Sequence, residues 1–392
     1  MLKVNNDILR TVDDGFCAIL VLLDLSAAFD TIDHCTLLKR LEDEVGLKGS
    51  VLKWFRSYLQ DRTFNVQIGS CSSSSSPITC GIPQGSILGP LLFSLYMLPL
   101  GTIFHKYNIQ YHCYADDTQF YIPATPDNTS SISNLLSCSE EIKTWMATNY
   151  LQLNENKTEV IIFGPTTSTT RLSQALGPLQ TNLTSSIKNL GVFFDSALSF
   201  NKQISSVVKG SFYQLRTIAK LKPILTHTDL VTITHAFITS RLDYCNSLYL
   251  GLPQSSISRL QIVQNAAARL ITGTRKRQHI TPALIRLHWL PVRFRIVFKT
   301  LLFVFKALNG LAPSYLSELI GYSPGTRVLR SATQKILQVP STTLKTKGDR
   351  AFSVAAPTLW NELPFHIKIC PTLDIFKSKL KTHLFTLAFN VI

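Results

Sequence analysis

The sequence lacks an apolar run of the roughly 18–20 residues that a membrane-spanning helix takes; the stretch Ala18–Leu23 is closed at once by Asp24. It also lacks paired cysteines. The eight cysteines (17, 35, 71, 80, 113, 138, 245 and 370) form no CxxC pair, which argues against a disulfide scaffold. They read as free thiols in a reducing compartment, nucleus or cytoplasm. The nine histidines form no HxxxH or HxH, so a zinc site is not expected. The opening Met1–Asp7 has no basic stretch leading into an apolar one, so no secretory leader is expected. No internal repeat is visible.

Acidic residues are scarce in one half only. Residues 201–392 carry 26 Lys and Arg against 6 Asp and Glu, whereas residues 1–200 carry 13 against 18. The chain is therefore net −5 in front and +20 behind, which separates carboxylate chemistry from a surface suited to a polyanion. With 45% hydrophobic and 16% charged residues, its 392 residues can bury a sizeable core and should form two or three domains.

The front half alternates strand-like and helix-like segments. Ala18–Leu25 predicts a buried strand, and Ser26 to about Leu41 a helix capped by Ser26. Phe64–Gly69 predicts a strand and the serine run Cys71–Pro77 a loop. Gly81–Gly89 is glycine-rich and precedes an apolar helix over Pro90–Leu98. Tyr111–Ile122 alternates around Ala-Asp-Asp, the pattern of a hairpin with acids at its tip. Val160–Phe163 and Leu190–Phe194 predict further short strands. Beyond residue 200, Ile204–Leu221, Asp229–Leu250, Ile257–Ile271 and Arg295–Leu308 predict amphipathic helices. In the third, Leu260, Val263, Ala267 and Leu270 share the buried face. The fold class is α+β, followed by a basic helical region.

Three carboxylates have apolar surroundings: Asp24 at a strand end and the pair Asp116–Asp117. Adjacent residues on a flat strand point to opposite faces, so this pair can converge on one site only at a turn. Clustered carboxylates repel, and a divalent ion such as magnesium, with its preference for oxygen ligands, relieves the repulsion. Two such ions suit phosphoryl transfer. Taken alone, each acid reads more readily as a cap or a turn residue. Asp30, Asp33 and His34 are read as a solvated or capping face.

In combination the blocks are far more specific. LVLLDLSAAFDTIDH, GIPQGSILGPLLFSLYM (81–97), YADD (114–117), LNENKTEVIIFG (153–164) and NLGVFFDSALSF (189–200) occur in order. This series resembles the reverse transcriptases of LINE-type (non-LTR) retrotransposons, most of all the jockey-like lineage. RLDYCNSLYLGLP and LQIVQNAAARLITG resemble that family's C-terminal region. The resemblance implies a polymerase palm, an antiparallel sheet with packed helices and a ferredoxin-like core, over residues 1–200. It implies an all-helical thumb over 201–290 and a basic C-terminal region over 291–392.

Carried over by position, the resemblance makes Asp24, Asp116 and Asp117 the holders of two Mg2+ (or Mn2+) ions, with the Leu25 carbonyl helping. Phe29 would be the steric gate against a 2′-hydroxyl. Pro83, Gln84 and Gly85 would form the loop under nucleotide and template, and Lys157 the general acid for pyrophosphate. Phe193, Phe194 and Asp195 would lie near the primer grip. Arg275, Lys276 and Arg277 are read as phosphate contacts. The expected partners are an RNA template, a DNA primer and deoxynucleoside triphosphates, with no membrane. Only 23 residues precede Asp24, so the fingers and any endonuclease of the family are expected to be missing. Two alternatives remain at this point: an inactive remnant that only binds nucleic acid, and a host-domesticated reverse transcriptase.

Overall fold

In a computed structural model, which describes residues 1–83, 85–322 and 335–390, the apolar run closed by Asp24 forms strand β1 (Cys17–Leu23). Six of its seven residues are buried, so β1 lies inside a layered structure, as its unbroken hydrophobicity demands. Three antiparallel strands complete the sheet: β2 (Gln110–Tyr114), β3 (Asp117–Ala124) and β4 (Glu159–Phe163), in the order β4-β1-β3-β2. Helices link β1 to β2, a tight turn links β2 to β3, and one helix (Thr129–Thr148) links β3 to β4. This βαββαβ connectivity with order 4-1-3-2 is the ferredoxin-like arrangement.

Period-two alternation sorts the side chains of β1. Ile19, Val21 and Leu23 join Phe120 and Ile122 of β3 and Val160 and Ile162 of β4 in one apolar cluster. Leu135, Ile142 and Met146 of the long helix, Leu100 and Phe104 of Leu100–Lys106, and Leu92, Phe93 and Tyr96 of Gly89–Tyr96 complete it. Arg40 is buried at its edge, donating to the Tyr96 carbonyl and to Asn149 Oδ1. All of this lies in one compact unit, Phe16–Ile187. Within the same unit, the segment 63–77 forms two small exposed hairpins, in which the expected strand Phe64–Gly69 shrinks to Thr63–Phe64 and Gln67–Ile68.

Residues 26–33 do not form the expected helix. Leu25–Ser26 pairs with Gln152–Leu153, Ala27 is left-handed at φ +50°, and the helix begins only at His34. Asp33 caps it, Oδ1 accepting from the Thr36 N–H at 2.7 Å. Ser26 is not the cap because it is paired with Gln152 in a short strand and is followed by left-handed Ala27.

The second unit joins Met1–Gly15 to Lys188–Ile392. Strand Val192–Asp195 starts two residues beyond the expected start, after left-handed Leu190 and Gly191. Helices Asn201–Leu221 and Gln254–Thr272 pack together. Leu260, Val263 and Ala267 are buried as expected, with Ile271 taking the place of half-buried Leu270. The expected helix Asp229–Leu250 is broken into His227–Thr234, a π-helical turn His235–Thr239, Ser240–Asp243 and a 3-10 turn Asn246–Tyr249. Left-handed Cys245, φ +51°, ends the regular helix. Residues 291–392 are not merely basic. Trp360, Phe305, Phe376, Leu301 and Leu380 build a core of their own.

The helix Leu2–Asp13 packs on this C-terminal core. Its Asp13 is 3% exposed and accepts the N–H groups of Thr343 (3.1 Å) and Leu344 (2.6 Å), with Arg10 3.3 Å away. Asn6 Oδ1 accepts from the Ser353 N–H at 2.8 Å. Asp13→Ala removes the shared acceptor of the Thr343 and Leu344 N–H groups and should cost about 1–2 kcal/mol, lowering the thermal midpoint by a few degrees in a circular dichroism melt. An unchanged midpoint would remove Asp13 as the tether of these segments.

Candidate active site

The β1–β3 register sets the acids. Leu23 lies opposite Thr118, so one further step brings Asp24 level with Asp117, and cross-strand neighbours share a face. Asp116 sits in the two-residue turn between Tyr114 and Asp117, where Ala115 has φ +53°. Hairpin turns of two residues require this sign, and it is what frees adjacent Asp116 and Asp117 from opposite faces. Asp117, though open to solvent, is held above the usual carboxylate range, first by partial desolvation and then by the charges of Asp116 and Asp24. Asp117 therefore feels the charges of both other carboxylates.

Asp24 is positioned by more than its strand. Its carbonyl accepts from the Asn154 N–H at 2.8 Å, which ties it to the 3-10 turn Glu155–Lys157. Lys157 Nζ then lies 3.5 Å from Asp24 Oδ2, which is buried and has no hydrogen-bond partner. Lys157 is mostly exposed (69%), so this pair is worth little as a stabilising contact. It places a proton-bearing ammonium beside the acids.

Leu25 pairs with Leu153 immediately after Asp24. Phe29 is half-buried in the turn that follows, its ring 5.0 Å from that of Phe93. The chain then runs beside the glycine-rich loop: Ile82 N–H donates to the Phe29 carbonyl at 2.8 Å and Gly81 N–H to the Ile32 carbonyl at 2.7 Å. His34 Nε2 donates to the Gly81 carbonyl at 2.7 Å. Gly81 has φ +86°, and a Cβ there would lie 2.8 Å from the Asp30 carbonyl oxygen, so only glycine permits this approach. Pro83 is half-buried, and Gly85, φ +81°, is exposed with open space around it. Gln84 lies outside the described residues. His34, expected on a solvated or capping face, is instead half-buried on the Gly81 carbonyl, and Gly81 and Asn154 are positioning residues to which sequence reading gave no role. Gly81 and Asn154 sit inside quoted blocks, but only the fold shows what they hold.

Oxygen donors of this hardness suit Mg2+, and an orphaned Asp24 Oδ2 beside a destabilised Asp117 is chemistry that a divalent cation would relieve. Among the described residues, however, no group of three His, Cys, Asp or Glu is drawn together tightly enough to hold a metal ion. The donor set fits the ion, while the side chains as placed are not yet a closed cage.

Arg275, Lys276 and Arg277 belong to the other unit. They lie exposed just after Gly273, which ends Gln254–Thr272 with φ +72°, and among the described residues none forms an ion pair. In the same unit, half-buried Phe193 has Lys202 4.6 Å and Lys188 5.8 Å from its ring centre. Asp195 accepts the Ser199 and Phe200 N–H groups at 2.9 and 2.8 Å, a structural role. All eight cysteines are unbridged, and among the described residues no helix is long and apolar enough to cross a membrane.

A family model described as reverse transcriptase (RNA-dependent DNA polymerase) matches residues 10–194. The chain is 25% identical over 284 residues to the probable RNA-directed DNA polymerase from transposon BS of Drosophila melanogaster. It is 25% identical over 282 residues to the RNA-directed DNA polymerase from mobile element jockey of the same organism. Each match covers 69% of this chain and 30% of the relative, so the chain spans less than a third of those proteins. The telomerase of Candida albicans, solved with the TWJ fragment of telomeric RNA, overlays at a TM-score of 0.35 with 13% identity. That match covers 75% of this chain and 52% of the other, too loosely to carry an argument. With its five ordered blocks set on a ferredoxin-like sheet, the segment 10–194 is similar to reverse transcriptases, and the relatives it matches are RNA-directed DNA polymerases of mobile elements.

Proposed function

We propose that this chain is the catalytic core of an RNA-directed DNA polymerase, extending a DNA primer on an RNA template with deoxynucleoside triphosphates. The observation that supports the reading is the β1–β3 register that sets Asp24, Asp116 and Asp117 at one end of these strands, with the charges of Asp24 and Asp116 acting on Asp117 and Lys157 beside Asp24. Asp24, Asp116 and Asp117 would hold Mg2+, or Mn2+ in its place. When bound, the ions supply activation of the primer hydroxyl and neutralisation of charge on the departing diphosphate. Lys157 is suited to deliver a proton to that diphosphate, and Gly85 lets a nucleotide approach the backbone closely.

In this reading Phe29 selects the sugar by shape, because Phe93 behind it fixes its ring. Phe29→Ala should raise ribonucleotide incorporation relative to deoxyribonucleotide by about tenfold or more, measured by single-nucleotide extension. Unchanged sugar preference would reject the assignment. Residues 201–290 are proposed as a thumb and 291–392 as a basic extension, with Arg275, Lys276 and Arg277 on phosphates. Binding to a template–primer should then fall about a thousandfold for a fourfold rise in salt if six phosphates are contacted. A flat salt response would contradict it.

A second reading, a protein that binds nucleic acid without catalysis, is favoured by one observation: the carboxylates are not gathered into a metal cage. Primer extension on an RNA template with Mg2+, run beside Asp116→Asn, decides between the two. Extension by the parent chain and none by the variant supports polymerisation; equal signals support the silent alternative.

A further inference from the structure

The unit containing the C-terminal residues holds a second site that the polymerase reading does not use. A cavity of about 410 Å³, within the size range of small-ligand pockets, lies among His235, Asp243, Asn246, Trp289, Arg295, Lys299 and Lys381, with His288 and Phe298 also on its wall. Its charge is one-sided. Among the described residues Asp243 is its only carboxylate, and Arg295 already engages it through Nε at 2.8 Å and through Nη2. Lys299 and Lys381 both line the cavity and have no carboxylate partner among the described residues, the Lys299 ammonium having only the Phe303 ring beside it at 5.7 Å.

The apolar part of the wall is aromatic. The rings of His235 and Trp289 meet at 5.4 Å and 62°, and Phe298 adds a third ring. Asn246 is 3% exposed, and its Oδ1 has no hydrogen-bond partner. Its Nδ2 makes only a long 3.4 Å contact to Asp243. An unpaired buried acceptor is costly, so one is normally retained where something else completes it. The backbone is unusual on both sides. The π-helical turn begins at His235, and Cys245 and His288 are both left-handed without being glycine. Such departures gather at functional sites.

We infer that this cavity binds a nucleoside monophosphate unit, with its phosphate on Lys299 and Lys381, its base against the aromatic wall and a base N–H reaching Asn246 Oδ1. Uncompensated cations select the phosphate, rings select the flat base, and the orphaned amide oxygen takes the donor that every common nucleobase carries. A metal would find only Asp243 as a carboxylate, already claimed, and a purely apolar ligand would leave the two lysines unused. The unit can arrive as a free nucleotide or as one unstacked from a single strand.

Calorimetric titration of the full chain with adenosine 5′-monophosphate, adenosine and inorganic phosphate tests this. The monophosphate should bind at least tenfold more tightly than either fragment. Lys299→Gln with Lys381→Gln should weaken it at least tenfold, while the charge-matched control Arg293→Gln with Lys379→Gln should not. Melting curves of both doubles check that the fold persists, which partly exposed positions allow. An (rA)6 strand that displaces the monophosphate identifies the strand as the source, and one that does not identifies the free nucleotide. Absence of monophosphate binding, or equal weakening by the control pair, overturns the proposal.

Discussion

Asp24→Asn is expected to reduce RNA-templated primer extension by about a thousandfold or more while leaving the fold intact. The substitution keeps the size of the side chain, removes its charge and replaces one carboxylate oxygen by an amide NH2. Asp24 lies beyond the end of β1, half-exposed, and its carbonyl rather than its carboxylate accepts the Asn154 N–H. The tie to the Glu155–Lys157 turn therefore survives. What is lost is a hard oxygen donor facing Asp117, and each 1.36 kcal/mol of lost transition-state stabilisation is a factor of about ten. Lys157→Met should do less, about ten- to a hundredfold, because it removes a proton donor and leaves the carboxylates in place. If Asp24→Asn extends primers as the parent does, with unchanged melting, the assignment of the acids fails.

Arg40→Ala is expected to cost about 3 kcal/mol of stability without touching the acids directly. Arg40 is 8% exposed, and its guanidinium is the donor for two acceptors from distant parts of the chain, the Tyr96 carbonyl and Asn149 Oδ1. It also lies 4.3 Å from the ring centre of Tyr96 and 5.2 Å from that of Trp145. Truncation strands both acceptors and opens a cavity between two aromatic rings. For a unit of this size the thermal midpoint should fall by about 6–12 °C. Arg40→Met fills the volume and still strands the acceptors, so it should recover only part of that loss. Equal melting of all three proteins would show that the guanidinium is dispensable.

The sheet was readable because its strands are short apolar runs bounded by turn residues. Ala18–Leu25 became Cys17–Leu23, Tyr111–Ile122 became the hairpin of β2 and β3, and Val160–Phe163 became β4. The acids followed from the same logic, since Asp24 and Asp116–Asp117 interrupt apolar strand patterns. The turn carrying Phe29 was not readable, because Phe29, Leu37, Leu38 and Leu41 mimic helical spacing. Ala27 at φ +50° and the Asp33 cap are local choices that periodicity does not register. The π-helical turn at His235 was hidden likewise, inside a run that patterns as one helix. Nor could spacing reveal the docking of Leu2–Asp13, whose Asp13 meets Leu344 across a separation of 331 residues. Long-range partners of a single carboxylate leave no periodic trace.

The central claim is that Asp24, Asp116 and Asp117 together hold divalent ions. The measurement that meets it most directly is electron paramagnetic resonance titration of Mn2+ into the full chain, carrying a non-extendable template–primer and a deoxynucleoside triphosphate. The account predicts protein-bound Mn2+ in the parent chain beyond that held by nucleic acid and nucleotide alone, lost on Asp116→Asn. The same bound Mn2+ in parent and variant would contradict it.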